Sequence, residues 1–326
     1  MQAIFNVALP VFGVILAGCL AGRWRVLGGE ATAALTAFVS TFALPALFFG
    51  ALARTPVKAV LDPALMAGFG LVVLAAFATG MLSTRLAVKG GLARMSLQGI
   101  AASWGNVGYM GVPLCLAAFG EAGLPPAMLA VIATSVIAMA CGVMLIELEV
   151  AAGHHPIATF LKAAWTVARN PLPVSIAAGI VYSALALPLP TPVEKWLDLL
   201  GAAASPCALF AIGLFLSDKS VSDPDKSMSD TDKSVGSGLA EPGLATLIKL
   251  VLQPVLAAAI LPLFVDLRSV PGQAALLMAA LPTAASAFVL AKQFGVQVEQ
   301  NTAAVLLSTG FSVVTVSALL VWLRVT

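Results

Sequence analysis

The sequence predicts an all-α membrane protein whose ten transmembrane helices form two inverted five-helix repeats. Three observations lead to this fold class. Of the 326 residues, 60% are hydrophobic and 10% are charged, whereas soluble domains carry about a quarter charged residues. Ten apolar segments approach the length of about 20 residues that a bilayer crossing requires. A polar segment divides them into two sets of five, and because five is odd the second set enters the bilayer in the opposite sense.

The ten apolar segments are long and uniform, and the mean hydropathy of the chain is +1.02. This pattern favours helices over the alternating strands of about ten residues that build outer-membrane barrels. The segments are 3–22, 31–53, 63–84, 92–120, 124–146, 171–189, 197–217, 243–265, 272–295 and 301–323.

Changes in composition set the boundaries of the two repeats. The first five-helix repeat covers residues 1–150, a cytoplasmic linker covers 151–170, and the second repeat covers 171–326. Within the second repeat, residues 218–242 are polar and repeat Asp-Lys-Ser every seven residues. Their low hydrophobicity and mixed charge predict a disordered cytoplasmic loop.

Short sequence matches in the same order support the repeat. The first and sixth spans share Leu-Pro-Val followed by a glycine, and the second and seventh spans share Pro, Phe and Gly. The matched residues are Leu9-Pro10-Val11 and Gly18 with Leu172-Pro173-Val174 and Gly179, and Pro45, Phe49 and Gly50 with Pro206, Phe210 and Gly213. Each match is weak alone, and their common order strengthens the prediction.

The basic residues predict the orientation of the chain in the membrane. Arg23 and Arg25 follow the first apolar run, whereas a cleavable signal peptide carries its positive charge before that run. The first span is therefore expected to be kept, with both termini outside the cytoplasm. In this orientation twelve of the 17 Lys and Arg residues, Lys249 among them, fall on cytoplasmic loops or helix ends, as the positive-inside rule expects. The expected location is the inner (plasma) membrane.

The most informative segment is 105–114, with the sequence Gly-Asn-Val-Gly-Tyr-Met-Gly-Val-Pro-Leu, inside the fourth apolar run. Three glycines, an amide and Pro113 favour a helix that is interrupted around this proline. Irregular backbone at membrane depth survives only where protein covers it or where it lines a cavity. In transporters such an interruption is the best pointer to the substrate site. A second break is predicted around Pro282 in the ninth span.

Two breaks at equivalent places of inverted halves would meet near the middle of the bilayer. There the N-termini of half-helices present unpaired N–H groups and a partial positive charge. Such an arrangement stabilises an anionic group without lysine or arginine. The sequence therefore predicts broken, crossing fourth and ninth helices that form the site of a carrier for a small organic anion.

The candidate substrate-binding residues come from these two breaks. Asn106 can bind a carboxylate or cap the broken helix, and the glycines can supply special backbone angles or tight helix packing. The hydroxyl groups and the tyrosine ring can line the site or make local contacts, and the prolines can form the site or only kink packed helices. The full set is Asn106, Gly105, Gly108, Tyr109, Gly111, Pro113, Pro282, Thr283 and Ser286.

Nearly all of the membrane portion resembles the auxin efflux carrier family, whose plant members are the PIN transporters. The segment 106–114 is similar to the family's Asn-x-x-x-Met-Gly-Ile-Pro-Leu. The segments 279–282 and 288–292 are similar to its Ala-Ala-Leu-Pro and Phe-Val-Phe-Ala-Lys. The resemblance implies a scaffold domain and a transport domain, helices that cross at prolines, elevator-like movement and export of small organic anions. It also implies that Asn106 contacts the substrate.

The chain departs from the plant pattern at three places. Gly105 stands where the plant members have a proline, and Ala287 replaces a second proline in the ninth span. The third span lacks the acid and the lysine that plant members carry near its start. Auxin is therefore a poor candidate, and a dicarboxylate or another weak acid, as in bacterial-type short-loop members, is the better expectation.

No ionisable residue is expected in the middle of a span, which disfavours a buried proton relay and the catalytic groups of intramembrane enzymes. Neither a cofactor nor a metal ion is predicted, and the net charge of +2 gives no reason to expect a nucleic-acid partner. The expected partners are the anion and the lipid bilayer, with a homodimer left open. Two alternatives remain: a sodium symporter that uses oxygens of Ser103, Thr283 and Ser286, and a membrane sensor or interaction protein that signals through the loop 218–242.

Overall fold

The computed structural model describes residues 7–56, 62–87, 90–150, 171–217 and 240–323. Each predicted apolar segment contains α-helix within these residues. The α-helices are α1 (Leu9–Arg23), α2 (Gly29–Phe38), α3 (Leu44–Ala53), α4 (Pro63–Ala87), α5 (Leu92–Ser103), α6 (Val112–Phe119), α7 (Leu124–Ile137), α8 (Met144–Val150), α9 (Pro171–Ala184), α10 (Thr191–Ser217), α11 (Ala240–Leu247), α12 (Gln253–Ile260), α13 (Val270–Ala279), α14 (Ala285–Phe294) and α15 (Val298–Trp322).

Two regions named by the sequence analysis fall largely outside this description. The predicted linker 151–170 lies outside the described residues, as does 218–239 of the predicted disordered loop. The last three residues of that loop, 240–242, begin α11 instead. The boundary of the predicted loop was therefore too late by three residues, because Glu241 and Pro242 occupy a first helical turn.

Within residues 39–260, three α-helices carry a proline in their first turn and follow directly after a π-helical turn. A proline ring lacks an N–H group and clashes with the carbonyl four residues earlier, so the preceding turn widens. The pairs are Val39–Ala43 before Pro45, Val107–Gly111 before Pro113, and Ile248–Leu252 before Pro254. These prolines therefore widen a helical turn without interrupting the chain of helices.

Six helical stretches of the described residues are long and apolar enough to cross a membrane. They are Glu30–Ala53, Pro63–Leu86, Val107–Ile146, Thr191–Ser217, Ala240–Leu263 and Val298–Trp322, and shorter apolar helices lie at Leu9–Arg23, Pro171–Ala184 and Val270–Ala279. The stretch 107–146 turns at Gly120, whose φ is 61°. A Cβ atom on Gly123 would lie only 2.7 Å from the carbonyl oxygen of Cys115, which a straight helix does not allow.

The helices pack into two groups, and each group draws on both halves of the sequence. In the first group, α10 packs along α1 and α3, and α9 packs on α3. In the second group, α4 packs along α5, α7 and α12, while α15 packs on α11 and α14. We call them the outer group (α1–α3, α9 and α10) and the crossing group (α4–α8 and α11–α15).

Close glycine contacts in the outer group relate the two halves of the sequence. A Cβ atom on Gly18 of α1 would overlap the carbonyl oxygen of Phe210 in α10. A Cβ atom on Gly179 of α9 would lie 3.3 Å from Cα of Phe49 in α3. In both pairs, α1 with α10 and α9 with α3, a glycine of one helix lies against the backbone of the other. This exchange of partners is the one that inverted halves would produce.

Candidate functional site

The helices of the fourth and ninth apolar segments are both interrupted. Helix α5 ends at Ser103, and the chain is irregular over residues 104–106 before the turn Val107–Gly111. Helix α13 ends at Ala279, and residues 280–284 are irregular before α14. The first break is centred on Gly105 and not on Pro113, which is buried in the first turn of α6. The prediction that this helix breaks around Pro113 was therefore displaced by several residues.

The two breaks lie directly against each other. Main-chain contacts join them in the manner of two short antiparallel strands, so neither break can move without the other. The contacts are a bridge between Gly105 and Thr283, a 2.7 Å hydrogen bond from the Asn106 N–H to the Pro282 carbonyl, and a 2.9 Å hydrogen bond from the Ala284 N–H to the Trp104 carbonyl. The predicted meeting of the two interrupted segments is confirmed.

The stretch 240–263 caps the C-terminal ends of both interrupted helices. The ammonium group of Lys249 donates a hydrogen bond of 2.9 Å to the carbonyl of Ala279, the last residue of α13. The amide nitrogen of Gln253 donates a hydrogen bond of 3.3 Å to the carbonyl of Ser103, the last residue of α5. Unpaired carbonyls and partial negative charge collect at a helix C-terminus. One helical stretch therefore satisfies both negative ends at the crossing.

Lys249 is the residue that sequence reasoning misplaced. It was expected at a cytoplasmic helix end, but its side chain is fully buried at 0% exposure. Its position also removes the ground for expecting no ionisable group within a span. A signal was present in the sequence, because Lys249 and Gln253 are four residues apart in an apolar run and therefore lie on one helical face. Two polar groups on one face indicate polar partners opposite them.

The positive ends at the crossing have free hydrogen-bond donors. Within the described residues, the N–H groups of Gly108 and Tyr109, and those of Ala285 and Ser286, have no hydrogen-bond acceptor. Asn106 is 8% exposed, and its side-chain amide makes no hydrogen bond to a described residue. The amide does not cap the turn that follows it. The crossing therefore presents an amide and several backbone donors.

The hydroxyl-bearing candidates occupy different surroundings. Thr283 is fully buried, with its hydroxyl donating to the Ala101 carbonyl at 2.8 Å and its N–H donating to the Ser308 hydroxyl at 3.0 Å. Ser286 is exposed on α14. The Tyr109 hydroxyl, half-buried, lies 3.5 Å from the Thr36 carbonyl of the outer group. Thr283 thus ties the crossing together, while Tyr109 reaches across to the outer group.

The three glycines of the first break differ in the space around them. A Cβ atom on Gly105 would lie 3.2 Å from both Cε and Nζ of Lys249, and one on Gly111 would lie 2.5 Å from Leu281 Cδ1. A Cβ atom on Gly108 would meet no other atom within 4 Å. Gly105 and Gly111 therefore permit close approach at the crossing, whereas Gly108 borders open space.

A second set of polar contacts lies at the start of α5. Arg94 pairs with Glu241 at 2.8 Å, and Gln98 donates to the Glu241 carbonyl at 2.9 Å. The Glu149 carboxylate accepts the Ala93 N–H at the first turn of α5. Gln98 and Gln253 therefore both hold neighbouring helices together. These contacts fasten α8 and α11 to α5 within the crossing group.

A cavity of about 340 Å³ lies where the outer group meets α6 and α7. Arg54 reaches into it from α3 and pairs with Asp198 and Glu194 of α10. Leu116 and Glu121 line the opposite wall. The cavity contains both apolar surface and charged groups, and it lies between the two groups of helices.

The fold and the crossing describe a multi-pass membrane protein built around two interrupted helices that meet at free backbone donors. The chain belongs to the family of membrane transport proteins, whose family model matches residues 3–320. The resemblance to the auxin efflux carrier family is thereby confirmed. Among the described residues, no group of three or more His, Cys, Asp or Glu side chains is placed to hold a metal ion.

Two relatives match almost the whole chain. A Rhizobium meliloti (strain 1021) protein named "Putative malonate transporter" is 34% identical over 328 residues, which covers 99% of this chain and 97% of that protein. An "Uncharacterized transporter" of Methanothermobacter thermautotrophicus is 24% identical over 314 residues, which covers 94% of each chain.

Proposed function

We propose that this protein is a carrier of a small organic anion, which it binds at the crossing through Asn106. The observation that carries this proposal is the meeting of the two breaks beside an amide that makes no hydrogen bond to a described residue. Free N–H groups at the starts of two helical segments add about half a positive charge each. An anion is stabilised there by fixed dipoles that need no reorganisation.

The substrate class is a dicarboxylate such as malonate, or another weak acid. The Rhizobium relative supports this choice through its name and its 34% identity. The free donors support it as well, because they lie on two separate segments and can serve two carboxylate groups. Asn106, Gly108, Tyr109 and Ser286 supply these donors, while Gly105, Gly111, Pro113, Pro282 and Thr283 shape the crossing.

Transport proceeds by an elevator-type movement of the crossing group against the outer group. In this proposal the ten helices form two inverted repeats, both termini lie outside the cytoplasm, and the protein resides in the inner membrane. Contacts between the two groups include the 6.0 Å ring pair of Phe215 and Phe288 and the approach of Tyr109 to Thr36. The cavity at Arg54 provides access between them.

The membrane potential can drive export without a coupling ion. Moving one negative charge outward through about 100 mV yields roughly 2.3 kcal/mol, equivalent to a gradient of about 50-fold. A sodium symporter is less well supported, because the hydroxyls of Ser103 and Thr283 already donate to the carbonyls of Gly99 and Ala101. Ser286 lies on an exposed face of α14.

Uptake of labelled malonate into sodium-free proteoliposomes tests this function. We expect an inside-positive potential to accelerate uptake, and Asn106→Ala to lower malonate affinity about 10- to 100-fold, as for the loss of a hydrogen bond to a charged group. Asn301→Ala is the matched control, because Asn301 is also buried but its amide donates to the Gln297 carbonyl away from the crossing. Absence of carboxylate flux, or an unchanged affinity in Asn106→Ala, would contradict the proposal.

A further inference from the structure

The crossing contains a buried lysine whose side chain lies against both broken segments. Lys249 lies in the π turn Ile248–Leu252, and its Nζ is 2.9 Å from the Ala279 carbonyl. On the other side, a Cβ atom on Gly105 would be 3.2 Å from the same Nζ. Gly105 directly precedes Asn106. The Lys249 amino group therefore lies against the residue that precedes Asn106, where the anion is proposed to bind.

Lys249 is not part of an ion pair in the described region. The ion pairs found there within 4.0 Å involve only Arg54 and Arg94. A buried charge without a counter-ion is costly unless dipoles replace the lost water. The carbonyl end of α13 supplies such a dipole. Binding of an anion at Asn106 would itself favour the protonated form of Lys249, so that the crossing carries a positive charge when the substrate is bound.

The neighbouring side chain on the same helical face extends this arrangement. Gln253 caps α5 as Lys249 caps α13, so the negative ends of both interrupted helices are covered from one side. The positive ends remain on the side of Asn106. A substrate at the crossing would therefore meet the backbone N–H groups and the Asn106 amide. The carbonyls at the two helix C-termini are already hydrogen-bonded to Lys249 and Gln253.

We infer that Lys249 is the specificity-determining cation of this carrier and that it makes the crossing prefer dianions over monoanions. Lys249 does not contact the substrate; it acts through the electric field at Asn106, as a positioning residue for the charge of the anion. This inference rests on the proposed function and extends it to the charge of the substrate. A unit charge acting over on the order of 8 Å at an effective dielectric constant of about 20 changes affinity about 30-fold for each substrate charge.

Three substitutions at position 249 separate charge from hydrogen bonding. Lys249→Gln can keep a hydrogen bond to the Ala279 carbonyl without the charge, Lys249→Met removes both, and Lys249→Arg keeps the charge. Dissociation constants are measured for malonate and for its monomethyl ester at about pH 6.5, where the first is mainly a dianion and the second a monoanion, because higher pH favours the neutral form of a buried lysine. We expect Gln and Met to lower the preference for malonate over the ester by at least tenfold, and Arg to retain most of it.

Gln253→Glu is a second test that leaves Lys249 in place. It adds a negative charge one helical turn from the ammonium group, so the preference for malonate should fall in the same direction. Gln98→Glu is the matched control, because Gln98 is as buried as Gln253 but caps no helix end at the crossing. Thermal unfolding in detergent confirms that each variant is folded. If the neutral variants at position 249 do not fold, the Lys249→Arg and Gln253→Glu variants test whether charge at this position sets the preference for malonate.

The outcomes distinguish this inference from the proposed function. If Lys249→Gln binds both anions as the wild type does, Lys249 is only a structural cap and the inference is wrong. Loss of the dianion preference in a folded Lys249→Arg variant overturns it too, as does an unchanged preference in Gln253→Glu. If the wild-type protein binds neither anion, the proposed function fails before the role of Lys249 is reached.

Discussion

In the first half of the molecule the crossing helix is interrupted at Gly105, whereas in the second half it is interrupted at Pro282. Gly105 does not have a positive φ; in the described residues that conformation occurs at Gly120 and Gly295 among the glycines. It instead provides space for Lys249. Pro282 has no N–H to offer, and its carbonyl accepts the Asn106 N–H. The first break thus depends on a residue without a side chain, Gly105, and the second on a residue without an N–H donor, Pro282.

The polar groups that accompany the two breaks differ in a corresponding way. In the second half, Thr283 uses both its N–H and its hydroxyl to fasten the crossing to its surroundings. In the first half, Asn106 uses only its backbone for this purpose, so its amide stays available. The caps at Lys249 and Gln253 also come from the second half. The comparison indicates that residues of the second half stabilise the crossing, which we call the clamp, while the first half supplies the side-chain amide that is available to the substrate.

The largest effect on stability is expected from Gly111→Ala. Its new methyl group would lie 2.5 Å from Leu281 Cδ1 and from Met278 Sδ, so these two buried side chains must repack. Overpacking of this kind costs about 1–3 kcal/mol, which is measured as a lower unfolding midpoint in detergent. Gly108→Ala is the matched control, because a methyl group there meets no neighbour within 4 Å.

Gly108 and Gly111 also test whether stability and substrate binding depend on different parts of the crossing. Gly108→Ala should leave stability nearly unchanged but reduce malonate affinity, since the methyl group enters the open space beside Asn106. If Gly108→Ala destabilises the protein as much as Gly111→Ala does, then other atoms occupy the space beside Gly108 in solution. The contrast between the two positions would then be lost.

The next largest effect is expected from Thr283→Val. This change removes the hydrogen bond to the Ala101 carbonyl at a fully buried site, and the loss of such a bond costs on the order of 1 kcal/mol. We expect lower thermal stability with an unchanged malonate dissociation constant, and Thr283→Ser should restore most of the stability. If a folded Thr283→Val variant loses malonate binding, Thr283 belongs to the binding site and does not only stabilise the crossing.

The sequence was sufficient to predict the apolar segments and the two breaks, because hydropathy and helix-breaking residues act locally. It was less informative about where the first break falls. Pro113 is conspicuous in the sequence, but a proline in the first turn of a helix only widens the turn before it. Gly105 carries weaker local information, since its importance depends on Lys249 lying opposite. That contact joins residues 144 positions apart and is set by tertiary packing.

The charge of the site was harder still to predict. The positive-inside rule assigns basic residues to cytoplasmic loops and helix ends, and Lys249 was counted among them. Only the fold shows that its helical face turns inward, toward the C-terminus of α13. The spacing of Lys249 and Gln253 indicated a shared face, but no local pattern indicated which face was buried.

A smaller effect on stability than that of Thr283→Val is expected from Gly105→Ala, which tests why the first break uses glycine. The methyl group would approach Lys249 Cε and Nζ to 3.2 Å, so a flexible side chain must yield by a few tenths of an ångström, and the cost should stay below about 1 kcal/mol. Gly105→Pro sharpens the comparison, because the extended Trp104 before it suits a proline and the Gly105 N–H has no acceptor in the described residues. If the proline variant folds and the alanine variant does not, backbone conformation rather than space for Lys249 distinguishes the two halves.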